Sequence, residues 1–253
     1  MHAKLLNPML KLKSLFFLLV LSVTSLSAAP KPKPTPTPTP PPPIAITTLP
    51  FNITAPGTYV LTGNLTSPPI TNQNGVFGAI NISPTIPGPV VVDLGGFTLT
   101  GPGWSGTVGI SIGIVIGLEY GPSNTYPITV RHGTISNFGT GVEPLSTSNV
   151  TIDNIVFNLA NTSDSSAGVA GIYAGSMDSS IVSNCIFNVN GPPTNNGKNY
   201  GIIDYFSTKG NSYSNNTFSA NFYCLLVMAA GNLGDEHFAN PFVLKNCQFA
   251  PPQ

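Results

Sequence analysis

The phrase "VTIDNIVFN" at 150–158 returns as "IVSNCIFN" at 181–188, "SYSNNTFS" at 212–219 and "VLKNCQFA" at 243–250. Looser copies precede it, "VVVDLGGFTLTG" at 90–101 and "ITVRHGTISNFG" at 128–139. Superposing the copies puts His132, Asn154, Asn184, Asn215 and Asn246 in one column, at steps of 22, 30, 31 and 31 residues. Recurrence at such a period marks a solenoid, in which each repeat is one layer packed on its neighbours. A β-sandwich, the competing arrangement, has no reason to repeat one strand phrase at near-constant spacing.

Inside each copy, apolar and polar residues alternate as in a half-buried strand, so Val150 and Ile152 point inward and Asp153 outward. Helix signals are nearly absent after Pro43, where Gly, Pro, Asn, Thr and β-branched residues dominate. A second apolar phrase opened by Gly precedes the first: "GISI" at 109, "GVEPL" at 141, "GIYA" at 171 and "GIID" at 201. Each layer therefore holds two or three short strands that stack in parallel on the next layer, about 4.8 Å away. Parallel crossovers are right-handed almost without exception. The expected fold is all-β, a single-stranded right-handed parallel β-helix of about seven coils over residues 44–253. The Asn column is then a structural ladder at a bend between strands, because Asn tolerates the left-handed backbone of a corner and its amide bonds to the layers above and below. His132 stands in for an amide there, and Asn215 is expected to face inward.

The phrases "ITAPGTYVLTGNL" (53–65), "VVVDLGGFTLTG" and "SNVTIDNIVF" resemble the opening and coil repeats of the pectin-lyase-like right-handed parallel β-helix superfamily, particularly its secreted bacterial members. The resemblance covers roughly residues 50–250. It implies an elongated β-helix and, often, binding to or action on polysaccharide.

The first 43 residues differ in kind from the rest. Lys4, Lys11 and Lys13 precede an apolar run from Leu15 to Val23, and small residues follow at Ser25, Ser27, Ala28 and Ala29. That order is the pattern of a cleaved signal peptide, residues 1–29, with cleavage after Ser27 or Ala29. The apolar run is shorter than the roughly 20 residues a transmembrane helix needs, so the processed chain is not expected to span a membrane. Residues 30–43, "PKPKPTPTPTPPPP", carry nine prolines in 14 positions and favour a semi-rigid polyproline II spacer. The expected destination is outside the cell or in its envelope.

After Pro43 four basic residues face nine acidic ones. No basic stripe is present, which argues against nucleic acid as a partner. Cys185, Cys224 and Cys247 form no CxxC and have no His at ligand spacing, so neither a zinc site nor another cofactor is expected. Six N-x-S/T sites occur, at Asn52, Asn64, Asn81, Asn149, Asn161 and Asn215; some would carry glycans in an exported eukaryotic protein, but in a chain so rich in Asn, Ser and Thr chance accounts for most of them.

Two outward columns are candidates for chemistry. One runs Arg131, Asp153, Ser183, Ser214, Lys245, with Arg131 and Asp153 read as a cross-strand ion pair. The other lies on the Gly-opened strands, where Glu143 and Tyr173 occupy adjacent coils and Asp204 or Tyr205 follows. Insertions at 159–168 and 189–200 are placed to wall a groove there. The resemblance implies that this strand carries the functional site of related enzymes. A glycosidase needs two carboxyl groups about 5–10 Å apart, and Glu143 with Asp204 meets that only if Asp204 faces outward. A lyase needs clustered acidic ligands and a cation, but the carboxylates are dispersed. In "GDEHF" at 234–238, three consecutive side chains do not converge readily on one ion, so a solvated turn is expected. The reading is a polysaccharide-binding or structural β-helix. The alternative is a lyase or hydrolase acting on pectin-like or other acidic polysaccharide. End-to-end self-association through the last coil is a further possibility.

Overall fold

The computed structural model describes residues 41–69, 78–103, 111–118, 122–159, 169–189, 199–204, 210–219, 223–227, 243–245 and 248–249. All of them belong to the unit Pro41–Gln253. Among the described residues the regular elements are all strands, and they fall into a 13-stranded, a 7-stranded and a 2-stranded sheet. The recorded pairings are parallel throughout, and strand order follows chain order with one strand of the other sheet interposed, which is the winding of a parallel β-helix solenoid.

The repeated phrases form the larger sheet. Val90–Asp93, Ile128–Ser136, Val150–Leu159, Ile181–Ser183, Ser212–Ser214 and Val243–Lys245 stack in that order. The Gly-opened phrases form the smaller sheet, in the order Phe51–Ile53, Gly78–Ile82, Ile112–Gly117, Thr140–Leu145, Val169–Ala174, Asn199–Asp204 and Tyr223–Val227. In the third of these strands the opening glycine is Gly113, while Gly109, the start of "GISI", lies outside the described residues.

Period-two alternation builds the core as expected: Val150 and Ile152 are fully buried and Asp153 is half-buried on the outer surface. Phe157, Phe187 and Phe218 occupy one inward column, with successive rings stacked at 4.8 Å. Across the interior, the glycines face those rings. A Cβ on Gly141 would lie 2.5 Å from Phe157 Cδ1 and 2.5 Å from the Gly171 carbonyl oxygen, and one on Gly171 would lie 2.4 Å from Phe187 Cδ1. Glycine opens these strands because the aromatic stack leaves no volume for any other side chain.

The corner column adopts the left-handed backbone. His132, Asn154, Asn184 and Asn215 have φ of 57°, 53°, 55° and 55°; Asn246 lies outside the described residues. Their side chains point outward and are exposed, Asn215 included, so its expected inward orientation is corrected. A single left-handed residue inserted into a strand turns the chain without consuming an inward position. The next residue then takes the core site: Ile155, Cys185 and Asn216 are fully buried. The ladder is also less uniform than expected. Asn215 Nδ2 donates to Asn184 Oδ1 at 3.2 Å, but Asn184 Nδ2 donates to Asp153 Oδ1 at 2.7 Å rather than to the next amide.

Candidate functional site

The outward column of the smaller sheet is set by register. Asn52 faces Asn81, Asn81 faces Val115, and Val115 faces Glu143. Because Val142 faces Ile172, Tyr173 stands beside Glu143 on the following coil, and Ile203 faces Tyr173. Glu143 and Tyr173 are brought together as expected, both half-buried. Their outward neighbours Val115 and Ile203 are 3% and 4% exposed, so the two half-buried side chains are flanked by apolar ones. At its upstream end Asn81 Nδ2 donates to Asn52 Oδ1 at 3.1 Å and to the Gly78 carbonyl at 2.8 Å. A depression of about 230 Å3 opens there, lined in part by Thr54, Asn81, Ser83 and Leu118.

Asp204 does not join this face. It pairs in register with Ala174, an inward residue, and is 2% exposed. The outward position is the third letter of each phrase (Glu143 in "GVE", Tyr173 in "GIY", Ile203 in "GII"), and a shift of one residue moves a side chain to the opposite face. Tyr205 lies outside the described residues, as do 160–168 and 190–198, most of the two expected walls, and "GDEHF".

Inside the solenoid Asp204 Oδ2 accepts hydrogen bonds from Tyr213 Oη at 2.7 Å and Asn211 Nδ2 at 2.8 Å. Burial, reinforced by the charge of Asp204 and the bond to it, pushes the Tyr213 phenol well above its ordinary pKa, so it remains a donor. The network continues through backbone: Asn211 Oδ1 accepts from the Ser180 N–H at 2.9 Å, and Ser180 Oγ accepts from the Val150 N–H at 2.9 Å. One polar chain thus ties three coils together at the edge of the core. The polar residue that opens a strand phrase, Ser180 or Asn211, was the sequence signal for it.

On the larger sheet Arg131 and Asp153 face each other in register, as expected, but Arg131 Nε donates to Asp93 Oδ2 at 2.9 Å on the other side. Asp153 instead accepts from Ser183 Oγ at 2.7 Å and from Asn184. The Arg131–Asp153 ion pair is corrected to Arg131–Asp93. Burial alone would raise the Asp93 pKa, but the Gly95 N–H, the bond and charge of Arg131, and His132 together hold it below the ordinary carboxylate value. Cys185 lies beneath this sheet, and burial pushes its thiol up to about 12. Among the described residues no cluster of three or more His, Cys, Asp or Glu side chains is arranged to hold a metal ion. No helix among them is long and apolar enough to cross a membrane.

These features define the class, a parallel β-helix solenoid with a half-buried carboxyl and aromatic pair on one sheet. No family model matches the chain, and no curated protein matches it. Among solved structures it is similar to a chain described as "Glycoside hydrolase", at 12% identity and a TM-score of 0.40. The match covers 77% of this chain and 38% of that one, so this chain spans well under half of its length.

Proposed function

We propose that the protein is an exported β-helix of the pectin-lyase-like kind that binds polysaccharide at the outward face of its smaller sheet. The observation that carries this reading is the pairing of Glu143 and Tyr173 on adjacent coils, in line with the Asn52 and Asn81 amides and the depression beside them. An aromatic body with carboxyl and amide groups at fixed spacing suits a sugar, which offers C–H surface and hydroxyls in alternation. Glu143 serves as a hydrogen-bond acceptor in this reading. Its expected catalytic partner Asp204 is engaged by Tyr213 and Asn211 in the interior. The signal-like first 29 residues and the proline spacer fit delivery outside the cytoplasm.

A panel of soluble neutral and acidic polysaccharides, with binding and product release followed separately, tests the reading. Tyr173→Ala is expected to weaken binding at least tenfold without lowering the unfolding midpoint by more than a few degrees. Product release by the wild type that Glu143→Gln abolishes, with binding intact, would make the protein an enzyme. Absence of binding across the panel would sink the proposal. N-terminal sequencing of the exported protein should begin at Ala28 or Pro30.

A further inference from the structure

The larger sheet carries a second surface downstream of the left-handed corner. There one register column includes Thr100, Ser136, Asn158 and Asn188. The column two residues earlier consists, from Thr98 to Thr217, of threonine and β-branched apolar residues, Thr134 and Ile186 among them. These side chains are exposed or half-exposed, and Asn188 Nδ2 donates to Asn158 Oδ1 at 3.1 Å, which fixes both amides. Among the described residues neither column contains a charge, in a chain of which 7% of residues are charged. Four steps of about 4.8 Å carry the array over roughly 19 Å.

We propose that this uncharged array lies flat against the surface of an insoluble neutral polysaccharide. It adds a second contact to the polysaccharide reading above and rests on it. Thr, Ser and Asn side chains each donate and accept, as sugar hydroxyls do, and no ion loses its hydration when the two surfaces meet. The methyl of Thr134 and the side chain of Ile186 offer apolar area to the C–H faces of sugar rings. The backbone is already fixed by the ladder, so little conformational freedom is lost on contact. Contacts that are weak singly act together when both partners repeat. An acidic polymer has no counter-charge in either column, since Arg131 lies upstream of the corner and engages Asp93. A second copy of this chain is disfavoured as occupant, because interface cores are enriched in aromatic residues and neither column has one.

The whole protein is tested for retention on microcrystalline cellulose and on chitin, alongside its binding of soluble glycans and its sedimentation coefficient. Ser136→Lys/Asn158→Lys is expected to reduce retention at least tenfold while leaving Tyr173-dependent binding of soluble glycans intact. Ser136→Ala/Asn158→Ala, which adds no charge, should reduce it severalfold and covers the case in which the lysine variant folds poorly. Retention unchanged in the folded variants overturns the inference, as does a wild-type dimer that these substitutions convert to monomer. If neither cellulose nor chitin is retained while soluble glycans bind through Tyr173, this inference fails and the earlier proposal stands. If nothing binds, both fail.

Discussion

Asn216 and Asn184 are the same residue type one coil and one position apart, yet they do opposite work. Asn216 is fully buried; its Oδ1 accepts from the Cys185 N–H at 2.9 Å and its Nδ2 donates to the Val182 carbonyl at 3.0 Å. Asn216→Leu leaves the Cys185 N–H without its acceptor in the core, while the Val182 carbonyl keeps its place in the strand ladder, and is expected to cost about 1–3 kcal/mol. Asn184→Gly keeps the left-handed backbone and gives up only exposed side-chain bonds, so it should cost less than about 1 kcal/mol. Denaturant unfolding of the two variants checks the order, and equal losses would refute it. Cys185 makes a chemical prediction at the same scale. With its thiol pushed up to about 12, it should resist alkylation in the folded protein at pH 8 and react on unfolding, as read by peptide mass spectrometry.

At the scale of the element, the strands were legible because inward residues repeat with period two and the phrases with period near 30. What the sequence concealed was parity. Register of the smaller sheet turns on which letter follows the opening glycine, and nothing in "GIID" alone says whether Asp204 or Ile203 faces out. Two donors waiting in the interior, Tyr213 and Asn211, made the buried carboxyl tolerable, and both come from the next repeat of the other sheet. The corner amides were legible as left-handed residues but not as exposed ones, since an inserted residue shifts the parity of everything after it. The glycine and phenylalanine columns supply the test at this scale. Gly141→Ala meets backbone and ring at 2.5 Å and should destabilise by about 1–3 kcal/mol as an overpacked core. Gly63→Ala, with nothing within 4 Å of the added carbon, should leave the thermal midpoint nearly unchanged.

Across the whole molecule, charge is scarce enough that one pair stands out. The folded-state pKa of Asp93 is lowered, so its contribution is complete above the unfolded carboxyl pKa and disappears as pH falls through the folded one. Asp93→Asn should therefore cost about 0.2–1 kcal/mol at neutral pH, discounted because Arg131 is 41% exposed, and the difference should close under acid. Urea midpoints of the two proteins from about pH 6 downward read this directly. A gap that widens in acid would contradict it.

The register itself has a consequence for length. Between Thr140 and Leu159 each pairing with the following coil keeps an offset of 30 residues, as do those of Val169 to Ala174 with Asn199 to Asp204. A duplicated segment of that size, such as 150–179, re-enters the ladder with every phenylalanine, glycine and corner residue in place. The molecule is extensible in steps of about 4.8 Å by tandem duplication, while an insertion of one or two residues inside a strand is not absorbed. Its span is thus a quantity that gene duplication can lengthen by whole coils, with only the bonds that Ser180 and Ser183 make to Val150 and Asp153 to be replaced at the new junction.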